Sequence, residues 1–327
     1  MIISQTPLRM SFVGGGSDLP AFYREHGGAV LSTAIDKYVY VSINRKFDQG
    51  IRLAYSRTEE VQSIDEIEHE LVRAAFSMRG IRGGVEITTT ADIPSRGTGL
   101  GSSSTFTVGL LNVLGAYQGQ HVSAEDLARG SCEIEIERCG QPIGKQDQYA
   151  AAYGGLNLIE FHPDDSVSVK PVIMPRDLRD LLEQRLIVFY TGITRSASAI
   201  LASQSAETGS DRAKQAALKR MVELAHVMRE ELGRGNIDSF GHILDENWSL
   251  KKSLTSGIST SEIDGWYDRA MGAGALGGKL LGAGQGGFMM FYAPRERHED
   301  IANAVGLRQV RFGFEPLGSR ILFYNPR

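Results

Sequence analysis

Three glycine-rich segments and a short run of carboxylates carry the residues in this 327-residue chain that can do chemistry. The most informative segment is Gly97-Thr98-Gly99-Leu100-Gly101-Ser102-Ser103-Ser104, which runs directly into an apolar stretch at 105–117. Glycines bare their backbone N–H groups and serines add hydroxyl donors. The start of a helix adds partial positive charge, worth ~0.3–1 kcal/mol to a nearby anion. Such a loop is a cradle for phosphate. It is not a P-loop of the Walker type, because neither Lys-Ser nor Lys-Thr follows the glycines. One of its serines can still serve Mg²⁺, as the P-loop hydroxyl does.

The other two glycine segments are weaker signals taken singly. Thr6-Pro7-Leu8-Arg9 leads through a strand-like run to Gly14-Gly15-Gly16-Ser17-Asp18. Three successive glycines cost backbone entropy, which a chain tolerates where backbone must approach something closely; the alternative is a plain turn capped by Asp18. The third segment, Gly282-Ala283-Gly284-Gln285-Gly286-Gly287, matches G-x-G-x-x-G. A dinucleotide site would require a helix after it, and the aromatic run Phe288–Tyr292 reads as a strand instead. It is therefore a loop between two strands whose backbone, at Gly284 and Gly286, can press against a ligand.

Between these segments stand Glu133, Glu135 and Glu137, then Asp147 flanked by Gln146 and Gln148. A phosphoryl-transfer enzyme needs a carboxylate to orient or deprotonate the attacking hydroxyl, and ligands for magnesium. Asp147 and one of the glutamates can supply both. Spacing does not choose among the three glutamates, and Asp147 can equally cap a helix.

The elements that must position these groups alternate strand and helix in the first part of the chain. Strands are expected at 2–13, 37–47 and 85–91, with helices at 63–78, 105–117 and 124–138. Ser63 and Glu66 have capping-box spacing. Beyond a mixed, glycine-bearing region come a buried strand at 185–191 and helices at 196–207, 212–232 and 237–254. Strands at 276–281, 288–292, 310–314 and 320–324 close the chain. The change from strand-rich to helix-rich places a boundary near 172, giving domains at 1–172 and 173–327.

Composition narrows the class of function. A net charge of −4 with scattered basic residues gives no nucleic-acid face. No run of 18 apolar residues suggests a membrane span, and the start lacks the layout of a signal peptide, so a cytoplasmic protein is expected. Cys132 and Cys139, the only cysteines, read as reduced thiols on one helix face.

The order of arginine strand, Gly-Leu-Gly-Ser-Ser loop, Gly144-Lys145-Gln146-Asp147-Gln148 and Gly-Ala-Gly-x-Gly-Gly resembles the GHMP kinases, from residue 6 to about 292. The resemblance implies an α+β fold of two domains, the first like ribosomal protein S5 and the second ferredoxin-like, with ATP and Mg²⁺ between them. It implies that Gly97, Gly99, Leu100, Gly101, Ser102, Ser103 and Ser104 bind ATP, that Asp147 is the catalytic base, and that Arg9 accompanies it. It also singles out Glu135 as a magnesium ligand, with Ser103 as the matching hydroxyl ligand and Ser102 a close rival. Gly15, Gly16, Ser17, Asp18, Arg195, Gly284 and Gly286 fall on the substrate side.

The Gly-Glu-His of galactokinases is replaced here by Gly15-Gly16-Ser17, which argues against galactose. The form of residues 6–9 and 14–20 is similar to a narrower branch, the bacterial D-glycero-D-manno-heptose 7-phosphate kinases, with L-fucokinases as relatives. That likeness implies phosphorylation of the anomeric hydroxyl of a sugar phosphate by a monomer or homodimer, in the synthesis of nucleotide-heptose for surface polysaccharide. Arg96, Lys145 and Arg195 are then candidates to meet the sugar's existing phosphate. An unphosphorylated sugar is the alternative acceptor. A non-catalytic sensor of ATP and sugar fits less well with an intact Arg9, Glu135 and Asp147.

Overall fold

The computed structural model describes residues 1–326 except 94–96, 195–196 and 209–210, and describes 197–199, 205, 206 and 208 by their backbone. The candidates Arg96 and Arg195 lie outside the described residues. In chain order the elements are β1 (Ile2–Val13), α1 (Pro20–His26), β2 (Gly28–Arg45), β3 (Ile51–Ala54), β4 (Thr58–Val61), α2 (Glu70–Arg79), β5 (Val85–Ala91) and α3 (Ser102–Tyr117). Next come α4 (Ala124–Cys132), α5 (Gln146–Tyr153), β6 (Leu156–Phe161), β7 (Val167–Pro171), α6 (Arg176–Gln184), β8 (Leu186–Tyr190), α7 (Ala197–Thr208) and α8 (Arg212–Gly233). The chain ends with α9 (Phe240–Ser253), α10 (Ser261–Gly272), β9 (Gly277–Leu280), β10 (Phe288–Tyr292), α11 (His298–Val305), β11 (Arg308–Val310) and β12 (Arg320–Tyr324).

The strands form two sheets. In the first, β1 is paired on both edges, by β12 and β2, and is buried along nearly its whole length. The long β2 serves two partners on its other edge: its first half pairs with β6 and its second half with β5. Helix α3 lies against this sheet, and every residue from Ser104 to Ala116 is buried. Its unusually apolar sequence follows from that enclosure on all sides.

The second sheet runs β11-β8-β10-β9, all antiparallel. Strand β10 alternates with period two. Phe288, Met290 and Tyr292 join the core shared with the first sheet, while Met289 and Phe291 join a second core around Trp248 and Phe189. The two sheets are therefore packed through one continuous apolar layer, in which Phe240 touches both Phe12 and Tyr292 at ring-centroid distances of 5.1 and 5.0 Å. The division at residue 172 stays a proposal. Strand β12 returns from the far end of the chain to pair with β1, so the first sheet draws on both halves.

Four expected elements differ. Strand β2 begins at Gly28 rather than 37, and the strand expected at 310–314 lies at Arg308–Val310. The Ser63–Glu66 pair forms, at 2.9 Å, but it closes a single tight turn rather than opening a helix. The Glu59 carboxylate takes the Glu68 and His69 N–H groups, and α2 starts only at Glu70. The helix expected over 124–138 is regular only to Cys132; Glu133–Arg138 winds as a wider π turn. Helices α1, α5, α6, α10 and α11 and strands β3, β4, β6 and β7 were not anticipated. Cys132 and Cys139 are free, the first buried and the second partly buried.

Candidate active site

A cleft of about 610 Å³ opens where the end of β1, the loop before α3, the start of α5 and the β9–β10 loop converge. Arg9 organises it. A buried arginine on a central strand needs acceptors, and Arg9 finds them on two elements. Its Nε donates to Asp147 Oδ1 at 2.8 Å, and a terminal nitrogen approaches the same oxygen at 2.7 Å. The other terminal nitrogen donates to the Gly99 carbonyl at 2.7 Å, while the Arg9 N–H donates to the Leu100 carbonyl at 3.1 Å. One residue thus fixes the candidate catalytic carboxylate and the Gly97–Ser104 loop relative to each other. Asp147 Oδ1 is engaged; Oδ2 faces Gly101 and the cleft.

The loop is held from its other side by the third glycine segment. A side chain at Gly99 would lie 2.2 Å from the Leu281 carbonyl oxygen, and one at Gly282 would lie 2.4 Å from the Gly99 Cα. Only glycine permits that backbone-to-backbone approach. Gly101, in the left-handed region at φ 77°, then turns the chain into α3. Gly97, Gly99, Gly101, Ser102, Ser103 and Ser104 all line the cleft, at the positive end of that helix. Leu100 does not; its side chain is buried in the core and it contributes its carbonyl to Arg9.

Behind Ser103 stands Glu135, fully buried, in the π turn. The wider turn follows from Cys139 N–H reaching back five residues to the Ile134 carbonyl. Glu135 accepts from Ser103 Oγ at 2.9 Å and from Gln148 Nε2 at 2.6 Å. Burial pushes its carboxyl up to about 7, against the pull of hydrogen bonds from Ser104, Gln148 and Ser103. Glu133 is tied to Arg138 on the surface. Neighbouring residues of α5 therefore serve different partners: Asp147 meets Arg9, and Gln148 steadies Glu135.

On the opposite wall, Asp18 accepts the Gly16 N–H at 2.9 Å and the Gln146 N–H at 3.3 Å. Burial, and then the charge of Asp147, raise its carboxyl above the usual range. Gly15, Gly16 and Asp18 line the cleft. Four other candidates do not. Ser17 is fully buried and its hydroxyl is spent on the Gly14 and Ala29 carbonyls. Gly284 and Gly286 back onto Ile258 and the Ile193 carbonyl, so the third loop meets the cleft through Gly282 and Ala283 instead. Lys145 donates to Asp165, away from the cleft.

Sequence reasoning missed Lys251 and Lys279, which reach the cleft from α9 and β9, along with Ser11, Thr98, Gln141, Gln146 and Thr194. A signal for Lys251 did exist. Leu244, Asn247, Trp248 and Lys251 form the buried stripe of α9, so two polar residues sit on an apolar face. Asn247 Oδ1 accepts the Gly14 N–H and Lys251 Nζ donates to the Gly15 carbonyl, each at 3.1 Å.

Comparison with known proteins places the chain in a family. The sequence description of the GHMP kinases N terminal domain matches residues 65–155, and that of the GHMP kinases C terminal region matches 228–309, together more than half of the chain. The chain belongs to the GHMP kinases. This kinase is 29% identical to D-glycero-alpha-D-manno-heptose 7-phosphate kinase of Campylobacter jejuni, over 94% of each chain. It is 30% identical to a bifunctional fucokinase/GDP-fucose pyrophosphorylase of Arabidopsis thaliana, over 93% of this chain and 30% of that longer protein. A crystal structure titled as a D-glycero-D-manno-heptose 1-phosphate kinase from Bacteroides thetaiotaomicron superposes with a TM-score of 0.80 at 28% identity, covering 99% of this chain and all of that one. The chain is thus a phosphotransferase with a hydroxyl acceptor, a sugar kinase with the two-domain α+β GHMP fold. Among the described residues no helix is long and apolar enough to cross a membrane.

Proposed function

We propose that this kinase transfers the γ-phosphate of ATP to the anomeric 1-hydroxyl of D-glycero-D-manno-heptose 7-phosphate, giving the 1,7-bisphosphate. The observation that carries the reading is the Arg9–Asp147 pair set against the N-terminus of α3, where a carboxylate and a phosphate cradle face one cleft. In this account the N–H groups and hydroxyls of residues 97–104 hold the triphosphate, and Asp147 orients the sugar hydroxyl and takes its proton. The hydroxyl oxygen attacks the γ-phosphorus, the bond to the β-phosphate oxygen breaks, and ADP leaves. Arg9 steadies the charge that gathers between them.

Magnesium fits the oxygens of Ser103 and Glu135. Among the described residues no cluster of three or more acidic, histidine or cysteine side chains stands ready for a metal alone. A hydroxyl and one carboxylate, completed by phosphate oxygens, is a set that Mg²⁺ accepts. The ion would offset negative charge on the transferring phosphate.

The acceptor is supported by the heptose 7-phosphate kinase at 29% identity. The likeness to a fucokinase keeps an unphosphorylated sugar as the second reading. A panel of heptose 7-phosphate, the free heptose, L-fucose and galactose with ATP, with products read by ³¹P NMR, separates them. The expected result is an anomeric phosphate signal from heptose 7-phosphate, with kcat/KM highest for that sugar. A higher kcat/KM for a free sugar overturns the acceptor assignment.

A further inference from the structure

The transfer chemistry above makes no use of Lys251 and Lys279. Both side chains line the cleft, and the residues are only 6% and 5% exposed. Their ammonium groups are held by neutral oxygens. Lys251 donates to the Gly15 carbonyl at 3.1 Å and to Gln204 Oε1 at 3.0 Å. Lys279 donates to the Ser11 and Phe12 carbonyls at 2.8 and 3.0 Å. Neither forms an ion pair among the described residues, although Asp18 is near enough for its charge to favour the Lys251 cation. Burying a cation without a counter-charge costs several kcal/mol, and a fold keeps two such groups together where an anion will complete them. Burial lowers Lys251 to about 8. Lys279 falls to about 7 through burial and then the charges of Lys251 and Arg9.

A neutral donor stands beside them. Ser11 is 5% exposed and lines the cleft, and its hydroxyl has no partner. Gln146 Oε1, in contact range of the same Gly15, is likewise buried and unpartnered. Position separates this group from the nucleotide. Arg9 and Ser11 share one face of β1, two residues and so about 7 Å apart along the strand. Arg9 touches the phosphate loop at Gly99, whereas the lysines touch Ser11, Phe12 and Gly15. The separation matches the length of a sugar lying between the transferring oxygen and a substituent at its far end.

We propose that Lys251, Lys279 and Ser11 form the seat for a phosphate that the acceptor sugar already carries, and that they make the enzyme select sugar phosphates over free sugars. The proposal rests on the reading that the acceptor is a sugar phosphate. It replaces Lys145, whose amine is engaged by Asp165.

The test measures Lys251→Met, Lys279→Met and Ser11→Ala with heptose 7-phosphate and with the free heptose. Each lysine variant should lower the ratio of kcat/KM for the phosphorylated over the free sugar by about 10–100-fold, the scale of losing one charge-assisted hydrogen bond. The loss should fall on KM for the sugar phosphate, and KM for ATP should stay within about twofold. Melting curves check folding; should Lys279→Met fail to fold, Lys251→Met and Ser11→Ala carry the test. An equal loss on both sugars, or a raised KM for ATP, overturns the proposal, because the lysines would then serve the transferred phosphoryl group. A wild-type enzyme that prefers phosphorylated sugar while the variants keep that preference sinks the lysine assignment alone. A wild-type enzyme without the preference sinks the acceptor reading as well.

Discussion

At the scale of single residues, the account turns on how Asp147 and Ser103 divide the work. Asp147 has one oxygen committed to Arg9 and one turned to the cleft. Replacing it by Asn keeps the shape and removes the proton acceptor. Turnover should fall by about 10²-fold or more, with KM for ATP little changed, in steady-state assays; near-normal turnover would remove Asp147 from its role. Ser103→Ala should instead weaken magnesium-nucleotide affinity more than sugar affinity, as measured by titration calorimetry with each ligand. The opposite pattern would mean that the loop does not hold the nucleotide. The glycine segments and the carboxylate run were legible in the sequence as a phosphate cradle with an acid beside it, but the roles given to Arg9, Glu135 and Ser103 came only from the resemblance, because three glutamates alternate at equivalent spacing. Lys279 was not legible, and for Lys251 the one signal was the polar pair Asn247 and Lys251 on the buried stripe of α9. A lysine's default place is the surface, and β9, paired with β10 and packed on α9, carries Lys279 out of water onto the Ser11 and Phe12 carbonyls.

Elements explain why the misreadings fell where they did. The three-residue offset between Ser63 and Glu66 is the same in a capping box and in an isolated turn, and what decides is Glu59, which lies outside the pattern. The π turn at Glu133–Arg138 leaves no mark in apolar periodicity either, because it adds one residue to one turn. It nonetheless sets the position of Glu135 behind Ser103. The third glycine loop was read as pressing on ligand, whereas its closest contact is the phosphate loop itself. Gly99→Ala tests that contact. A methyl group 2.2 Å from the Leu281 carbonyl oxygen, on a residue at φ 75°, should destabilise the protein by about 1–3 kcal/mol and weaken ATP binding. Chemical denaturation and nucleotide titration measure the two effects. An unchanged midpoint would show that the two loops separate freely.

For the whole molecule, charge buried in the cleft couples stability to pH and to ligands. Glu135 holds its proton more tightly in the fold, about 7 against 4.5. It therefore contributes stability that is complete below about pH 4.5 and lost as pH rises through about 7. Glu135→Gln removes that dependence, so its melting temperature, measured without nucleotide or magnesium, should gain on the wild type between pH 5 and pH 8. The buried lysines titrate in both proteins and cancel in the difference. A gap that stays constant across this range would place the charge of Glu135 in water. Many of the strands were legible in outline from the sequence pattern and the two-domain fold came from the resemblance, but the return of β12 to β1 was not legible, since nothing local in residues 320–324 names a partner about three hundred positions away. What joins all of this is the proposed arrangement, with the triphosphate on the N-terminus of α3 and the sugar between Asp147 and the Gly14–Asp18 turn. A crystal structure with a non-hydrolysable ATP analogue and heptose 7-phosphate tests it directly. The account predicts the γ-phosphate beside Ser103 and the anomeric hydroxyl within hydrogen-bond reach of Asp147 Oδ2. A triphosphate bound away from residues 97–104, or a sugar with another hydroxyl at Asp147, would contradict it.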